Sequence, residues 1–213
     1  MSVRRLAVLG HPVGHSRSPA MQNAALEALG LGEEWHYEAI DVAPEEFEAR
    51  VRAMAAEGFV GANVTVPHKL AAFALADRPS DMAREIGAAN TLVFAAGEIE
   101  AHNTDAPGLV AALPTPPAGQ KALVLGAGGA ARAAIWALGV AGAGVDIWNR
   151  TRTRAETVRI EVTEQAERFQ IQIKVGTVPA DPRPPVQIDQ SGYGLIVNTT
   201  TVGLRGEDPF AHL

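Results

Sequence analysis

The chain has 213 residues, 47% of them hydrophobic and 20% charged, which fits one large or two small folded domains and excludes a disordered or collagen-like chain. The formal net charge of −6 disfavours nucleic acid as a partner, and the absence of cysteine removes disulfides, thiolate chemistry and Cys-based metal sites. No apolar run reaches the ~18 residues of a membrane span, and the few apolar residues between Arg5 and Gly10 are too short for a signal peptide, so a cytoplasmic protein is expected.

Taken in chain order, Val3–Leu9 reads as a buried strand closed by Gly10. Pro19 opens a helix with Met21, Ala25, Leu26 and Leu29 on one face, ended by Gly30, and Ser18 occupies the N-cap position. Trp35–Val42 is a second strand. A helix begins at Pro44, with Phe47, Val51 and Met54 at helical spacing and Gly58 beyond its end. Phe59–Val66 is a third strand and His68–Ala76 a short helix. Thr91–Phe94 and Glu98–His102 flank Ala96-Gly97, a hairpin turn. This alternation predicts an α/β domain with a mostly parallel sheet over 1–112. Residues 113–120, rich in Pro, read as a linker. Over 121–213 the pattern is strand Lys121–Leu125, a Gly-rich turn, helix Ala130–Val140 and strand Val145–Trp148. A helix marked by Ala155, Val158, Val162, Ala166 and Phe169 follows, then strand Ile171–Val175, a Pro-rich loop Asp181–Gly192 and strand Leu195–Asn198. That is a Rossmann-like domain with about four strands where two complete halves have six, and it is expected to be incomplete.

Gly126-Ala127-Gly128-Gly129-Ala130-Ala131 fits G-x-G-x-x-A between a strand and a helix. Gly126 permits the tight turn, Gly128 lets a pyrophosphate approach the backbone, and Ala131 allows close helix–strand packing. The helix N-terminus offers free N–H groups and the positive end of its dipole. The bland alternative is an ordinary tight turn. The next strand ends at Asn149-Arg150-Thr151, with Arg152 and Arg154 following. An NAD-selective site has an acid near there, and here Arg150 stands instead, which favours a 2′-phosphate and so NADP. A solvated basic loop is the competing reading.

Four polar segments stand at strand ends where open α/β sheets bind ligands: His15-Ser16-Arg17-Ser18, Asn63-Val-Thr65-Val-Pro-His-Lys69, Ala89-Asn90-Thr91 and Asn103-Thr104-Asp105. Together they would suit a polyol. Individually, Ser18 reads equally as an N-cap, Asn63 and Asn103 as turn formers, and Lys69 as a solvated charge. His11, His15 and His68 lie near the cluster without a metal spacing, and no metal is expected.

These motifs, in register from about Leu6 to Gly203, resemble shikimate dehydrogenase, the NADP-dependent family that interconverts 3-dehydroshikimate and shikimate. The resemblance implies that Ser16 and Ser18 bind the substrate carboxylate. It implies that Thr65, Asn90 and Asp105 contact ring hydroxyls, and that Lys69 with Asp105 forms the catalytic pair, Lys69 also touching substrate. The cofactor contacts it implies are Gly126, Ala127, Gly128, Gly129, Ala130, Asn149, Arg150, Thr151, Arg154, Thr200 and Val202, the last two in a loop beside the nicotinamide. In that chemistry an ammonium supplies the proton to the developing alkoxide, and a neighbouring carboxylate holds the Lys and favours its charged form. A homodimer is an open possibility. Dual quinate/shikimate specificity, a non-catalytic NADP-binding homologue and an amino-acid dehydrogenase of similar layout are the alternatives. Paired serines and the retained Lys69 and Asp105 weigh against them. The family pattern continues past this loop with a Tyr and a Gln that have no counterpart before Leu213, so weak substrate binding and poor turnover are expected of the chain as written.

Overall fold

The structure is a computed structural model that describes residues 3–169, 171, 173–175 and 192–201. The chain divides into two compact units, Met1–Thr104 and a second that begins at Asp105.

In the first unit, strands β1 (Arg4–Gly10), β2 (Trp35–Asp41) and β3 (Phe59–Val64) run parallel, with Gly10 opposite Asp41 and Leu9 opposite Val64. Their C-terminal ends therefore form one level edge. β4 is the two-residue Arg78–Pro79. β5 (Thr91–Ala95) and β6 (Glu98–His102) form the expected hairpin, and Ala96 and Gly97 both have positive φ, at 53° and 81°. Such a turn matches the natural twist of the two strands. The sheet order is β2-β1-β3-β5-β6-β4. β5 runs antiparallel to β3 and β6, whereas β4 is parallel to β6, so the sheet is mixed, parallel on its β1–β3 side. The reversal follows from the short hairpin, because two residues cannot return a chain for parallel pairing.

The helical spacing of Phe47, Val51 and Met54 is realised in α2 (Phe47–Met54), after one 3₁₀ turn at Pro44–Glu46, and all three are buried. They pack with Ala7, Leu9, Val64 and Leu92 from the sheet, and each such side chain contributes about 1.5–3 kcal/mol when removed from water. α1 spans Ser18–Ala28, α3 Lys69–Ala74 and α4 Asp81–Ile86. α1 differs from its expected apolar face: Met21 and Leu29 are 63% and 72% exposed. Only Leu26 of the expected set packs inward, against Val8, Val13 and Tyr37, and Asn23 ties the helix to β2 through the Tyr37 backbone.

In the second unit, β7 (Lys121–Leu125), β8 (Gly144–Trp148), β9 (Ile173–Val175) and β10 (Leu195–Asn198) form a parallel sheet ordered β10-β7-β8-β9. This is the 3-2-1-4 order of a dinucleotide-binding half, with its reversal between β7 and β10. α5 (Asp105–Ala112), α6 (Gly129–Val140) and α7 (Arg152–Gln165) accompany it. α5 packs on α6, which places the unit boundary ahead of the Pro-rich segment 113–120. Along α6 even Ala133, Ile135 and Leu138 are buried together with Ala131, so this helix is enclosed on most sides. Lys121 Nζ lies 3.0 Å from an Asp146 carboxylate oxygen, and Tyr193 Oη donates to the same oxygen at 2.5 Å. That cluster fastens the start of β7 to its neighbour β8. Most of the Pro-rich loop expected over residues 181–192 lies outside the described residues.

Candidate active site

The polar segments of the first unit meet at the C-terminal edge of β1–β3. Gly10 ends β1 against Thr65: a Cβ at Gly10 would stand 2.5 Å from Thr65 Cγ2. Thr65 N donates to Leu9 O at 2.8 Å, and His11 N to Val66 O at 3.0 Å. The loops after β1 and β3 are thus laced together, as small residues at a close approach allow.

The serine loop is held by Asp41, at the end of β2. One carboxylate oxygen lies 2.6 Å from His11 Nδ1 and the other accepts from Val13 N at 2.9 Å. These bonds, the His11 bond first, hold the Asp41 carboxyl below the usual carboxylate range. Val13 O accepts from Ser16 N at 2.9 Å, and Ser16 Oγ accepts from Ser18 N at 3.3 Å. Both serines are half-buried. Arg17, not Ser18, stands at the N-cap, and no side chain caps α1. The capping role open to Ser18 is therefore not the one it plays. A hydroxyl and the first amides of a helix are well disposed toward a carboxylate.

His68 is a core residue. Its ring stacks on Phe47 at 4.3 Å between centroids, and its Nε2 lies 2.8 Å from Val42 O. Burial pushes its pKa down, so the ring is neutral near pH 7. It anchors the residue immediately before Lys69, which is half-buried at the start of α3. The Lys69 carbonyl accepts from Ala89 N at 2.9 Å, tying α3 to the segment that carries Asn90.

Asn90 is buried, with its backbone pinned on both sides: its carbonyl accepts from Val64 N at 2.8 Å and its N–H donates to His102 O at 3.0 Å. Its Oδ1 accepts from Thr104 N at 2.8 Å and from Thr91 Oγ1 at 3.1 Å, while its Nδ2 donates to Thr104 Oγ1 at 2.9 Å. Asn103 Nδ2 donates to Ala88 O at 3.0 Å, and Asn63 bonds Tyr37 and Thr91. Both asparagines make long-range bonds instead of local turns. Asp105 follows directly as the first, half-buried residue of α5.

In the second unit, three loops share another strand edge, because Leu125 pairs with Trp148 on one side and Asn198 on the other. Gly126 has φ +119°, and a Cβ there would stand 2.5 Å from Thr199 Oγ1. That hydroxyl itself donates to Leu125 O at 2.6 Å. Gly128 is the N-cap of α6, and a Cβ there would meet nothing within 4 Å. Gly129 and Ala130 form the first turn of α6, and Ala127 lies between the two glycines. The open space, the bare helix N-terminus and the switch-point position fit a dinucleotide pyrophosphate. Asn149 Nδ2 donates to Thr151 O at 2.9 Å, shaping the loop after β8. Arg150 and Arg154 are exposed, with no ion pair among the described residues, whereas Arg152 faces Glu156 at 3.9 Å. Thr200, anchored to Asn198 Oδ1 at 2.7 Å, borders the same edge. Val202 lies outside the described residues.

Sequence reasoning missed Asp41 and Tyr37, whose side chains act on partners 26 or more positions away. No group of three or more His, Asp or Glu suited to a metal ion occurs among the described residues.

Residues 8–92 match the family described as the shikimate dehydrogenase substrate binding domain. A protein of Acidiphilium cryptum named shikimate dehydrogenase (NADP(+)) is 44% identical over 209 residues, which cover 97% of this chain and 70% of that protein. A solved shikimate dehydrogenase in complex with NADP+ superposes with a TM-score of 0.79 at 33% identity, covering 94% of this chain and 68% of the other. The Thermus thermophilus shikimate 5-dehydrogenase in complex with NADP(H) and shikimate gives 0.72 at 43% identity, covering 95% and 70%.

Proposed function

The chain belongs to the shikimate dehydrogenase family, and on that premise we propose that it catalyses the NADPH-dependent, reversible reduction of 3-dehydroshikimate to shikimate. The observation that carries the reading is the pair of strand-edge sites. One gathers Ser16, Ser18, Thr65, Lys69 and Asn90 around β1–β3, and the other is a glycine turn at a switch point with Arg150 on the adjacent loop. The domain assignment that goes with it is substrate binding over 1–112, a linker over 113–120 and NADP binding over 121–213.

When bound, NADPH supplies the hydride. Gly126 to Ala130 would hold its pyrophosphate, Asn149 to Thr151 with Arg154 its 2′-phosphate and adenosine side, and Thr200 with Val202 its nicotinamide side. On the substrate, Ser16 and Ser18 are assigned the carboxylate, and Thr65, Asn90 and Asp105 the ring hydroxyls. Lys69 delivers the proton to the carbonyl oxygen as hydride arrives, and in the reverse direction its neutral amine takes the alcohol proton. Asp105 is assigned the orientation of Lys69. We assign the protein to the cytoplasm. Among the described residues no helix is long and apolar enough to cross a membrane. A homodimer is the assembly in this reading, and light scattering checks it.

The deciding experiment follows oxidation of shikimate and of quinate side by side with NADP+ and with NAD+. Turnover of shikimate with NADP+ well above the other combinations supports the reading. Equal turnover of quinate would instead give dual specificity, and binding of NADP+ without turnover of either acid would leave a non-catalytic homologue.

A further inference from the structure

Tyr37 sits in the middle of β2 and only 4% of it is exposed, yet its hydroxyl is not used for packing. Tyr37 Oη donates to Asn63 Oδ1 at 2.7 Å; Asn63 Nδ2 donates to Thr91 Oγ1 at 3.3 Å; Thr91 Oγ1 donates to Asn90 Oδ1 at 3.1 Å; and Asn90 Nδ2 donates to Thr104 Oγ1 at 2.9 Å. From Tyr37 to Asn90 every donor in this series points the same way, and Thr104 closes it by donating back to Asn90 Oδ1 from its N–H at 2.8 Å and its hydroxyl at 3.2 Å. A one-way chain of this kind settles the orientation of each amide and hydroxyl along it, since an amide has distinct donor and acceptor ends. The head of the chain is well secured. Asn23 brackets the Tyr37 backbone, accepting from its N–H at 2.9 Å and donating to its carbonyl at 2.8 Å. Burial also pushes the Tyr37 pKa up to about 12, so the hydroxyl keeps its proton throughout the neutral range.

We infer that Tyr37 is a positioning residue for the substrate site: its hydroxyl, acting through Asn63 and Thr91, sets the orientation in which Asn90 and Thr104 are presented to the substrate. This rests on the assignment of Asn90 to a substrate hydroxyl. Tyr37 makes no contact with substrate in this scheme. Its effect arises because a hydrogen bond removed at the half-buried Asn63 amide leaves that amide free to turn, and the Thr91 hydroxyl then loses the donor that directs its own bond to Asn90, which keeps only its hold on Thr104.

The test is Tyr37→Phe, which deletes one oxygen and keeps the ring. The dissociation constant of shikimate, read by calorimetry, and its KM are expected to rise by roughly threefold to tenfold, the worth of one neutral hydrogen bond, with the KM for NADP+ unchanged. Thr91→Val breaks the chain at its midpoint and is expected to give a similar shift, and it serves as the test if Tyr37→Phe does not fold. The double variant is expected to be no worse than Thr91→Val alone, because one break already disconnects the chain. Wild-type shikimate affinity in either single variant, strictly additive losses in the double, or an equal rise in both KM values would overturn the inference. Asn90→Ala measured alongside separates the two levels of the argument. Unchanged shikimate binding there removes the substrate assignment itself, and with it the inference. Weakened binding there with wild-type Tyr37→Phe removes the positioning role alone.

Discussion

Replacing Gly126 with Ala tests the nucleotide turn most directly, because the structure separates its two demands. At φ +119° the backbone is outside the regions open to L side chains, and residues held in such conformations cost on the order of 1–3 kcal/mol. The new methyl would also lie 2.5 Å from Thr199 Oγ1 and 3.3 Å from Thr200 Cγ2. Thr199 is not the far end of a flexible chain, since its hydroxyl is engaged by Leu125 O, so the loop after β10 must move. At about 2–4 °C per kcal/mol for a chain of this size, the melting temperature should fall by roughly 2–12 °C. NADP+ affinity should fall by about tenfold or more, at 1.4 kcal/mol per decade. Gly128→Ala is the matched control. Its methyl would meet nothing within 4 Å and would point into the space assigned to the pyrophosphate. It should leave the melting temperature within a degree or so while weakening NADP+ binding. Scanning calorimetry and NADP+ titration of the two variants provide the readouts. Unchanged melting and unchanged affinity for Gly126→Ala would refute the reasoning about the turn, and unchanged affinity for Gly128→Ala would refute the placement of the pyrophosphate.

Lys69→Ala should lower turnover by about 10²–10⁴-fold, the usual worth of a positioned proton donor, while the shikimate dissociation constant stays near wild type; wild-type turnover would remove the proton assignment. Arg150→Ala should raise the KM for NADPH by roughly tenfold, as loss of a charge-assisted contact does, and barely move that for NADH; equal changes would remove the 2′-phosphate argument. Stability should decline on acidification. His68 has its pKa lowered in the folded protein, so below the ordinary value of about 6.5 the unfolded chain takes up a proton that the fold resists. Loss begins as pH drops through that value and continues to the lowered folded one. Asp41, likewise lowered, adds a further loss in the carboxylate range. Thermal melts from about pH 7.5 down to about pH 3 check this, with His68→Gln expected to flatten the part near pH 6; an unaltered slope in that variant would count against His68 as the titrating group.

Sequence alone determined what depends on short spacing. The 3–4 step of Phe47, Val51 and Met54 became a buried helix face, and Ala96-Gly97 became the hairpin turn. The strand–glycine–helix order at Gly126 became the tight turn between β7 and α6, with Gly126 at φ 119°. Local period and local φ requirements fix such features whatever the rest of the chain does. Other elements were hidden by local signals that tertiary context overrides. α5 begins Asp105-Ala-Pro-Gly, which reads as a breaker. Yet Pro is tolerated in a first turn whose N–H groups have no helical partner, and packing on α6 supports the rest. β4 is too short to announce itself and forms because Arg78 and Pro79 lie beside β6. The apolar stripe of α1 predicted more burial than the sheet provides, because only Leu26 of that set reaches Val8, Val13 and Tyr37. The site divides in the same way. Ser16, Lys69, Asn90 and Arg150 stood out because polar residues at strand ends are unusual. Asp41 and Tyr37 did not, because each acts on a partner distant in sequence. A hydrogen bond depends on distance and direction in space, and those exist only once β1, β2 and β3 have been brought into register.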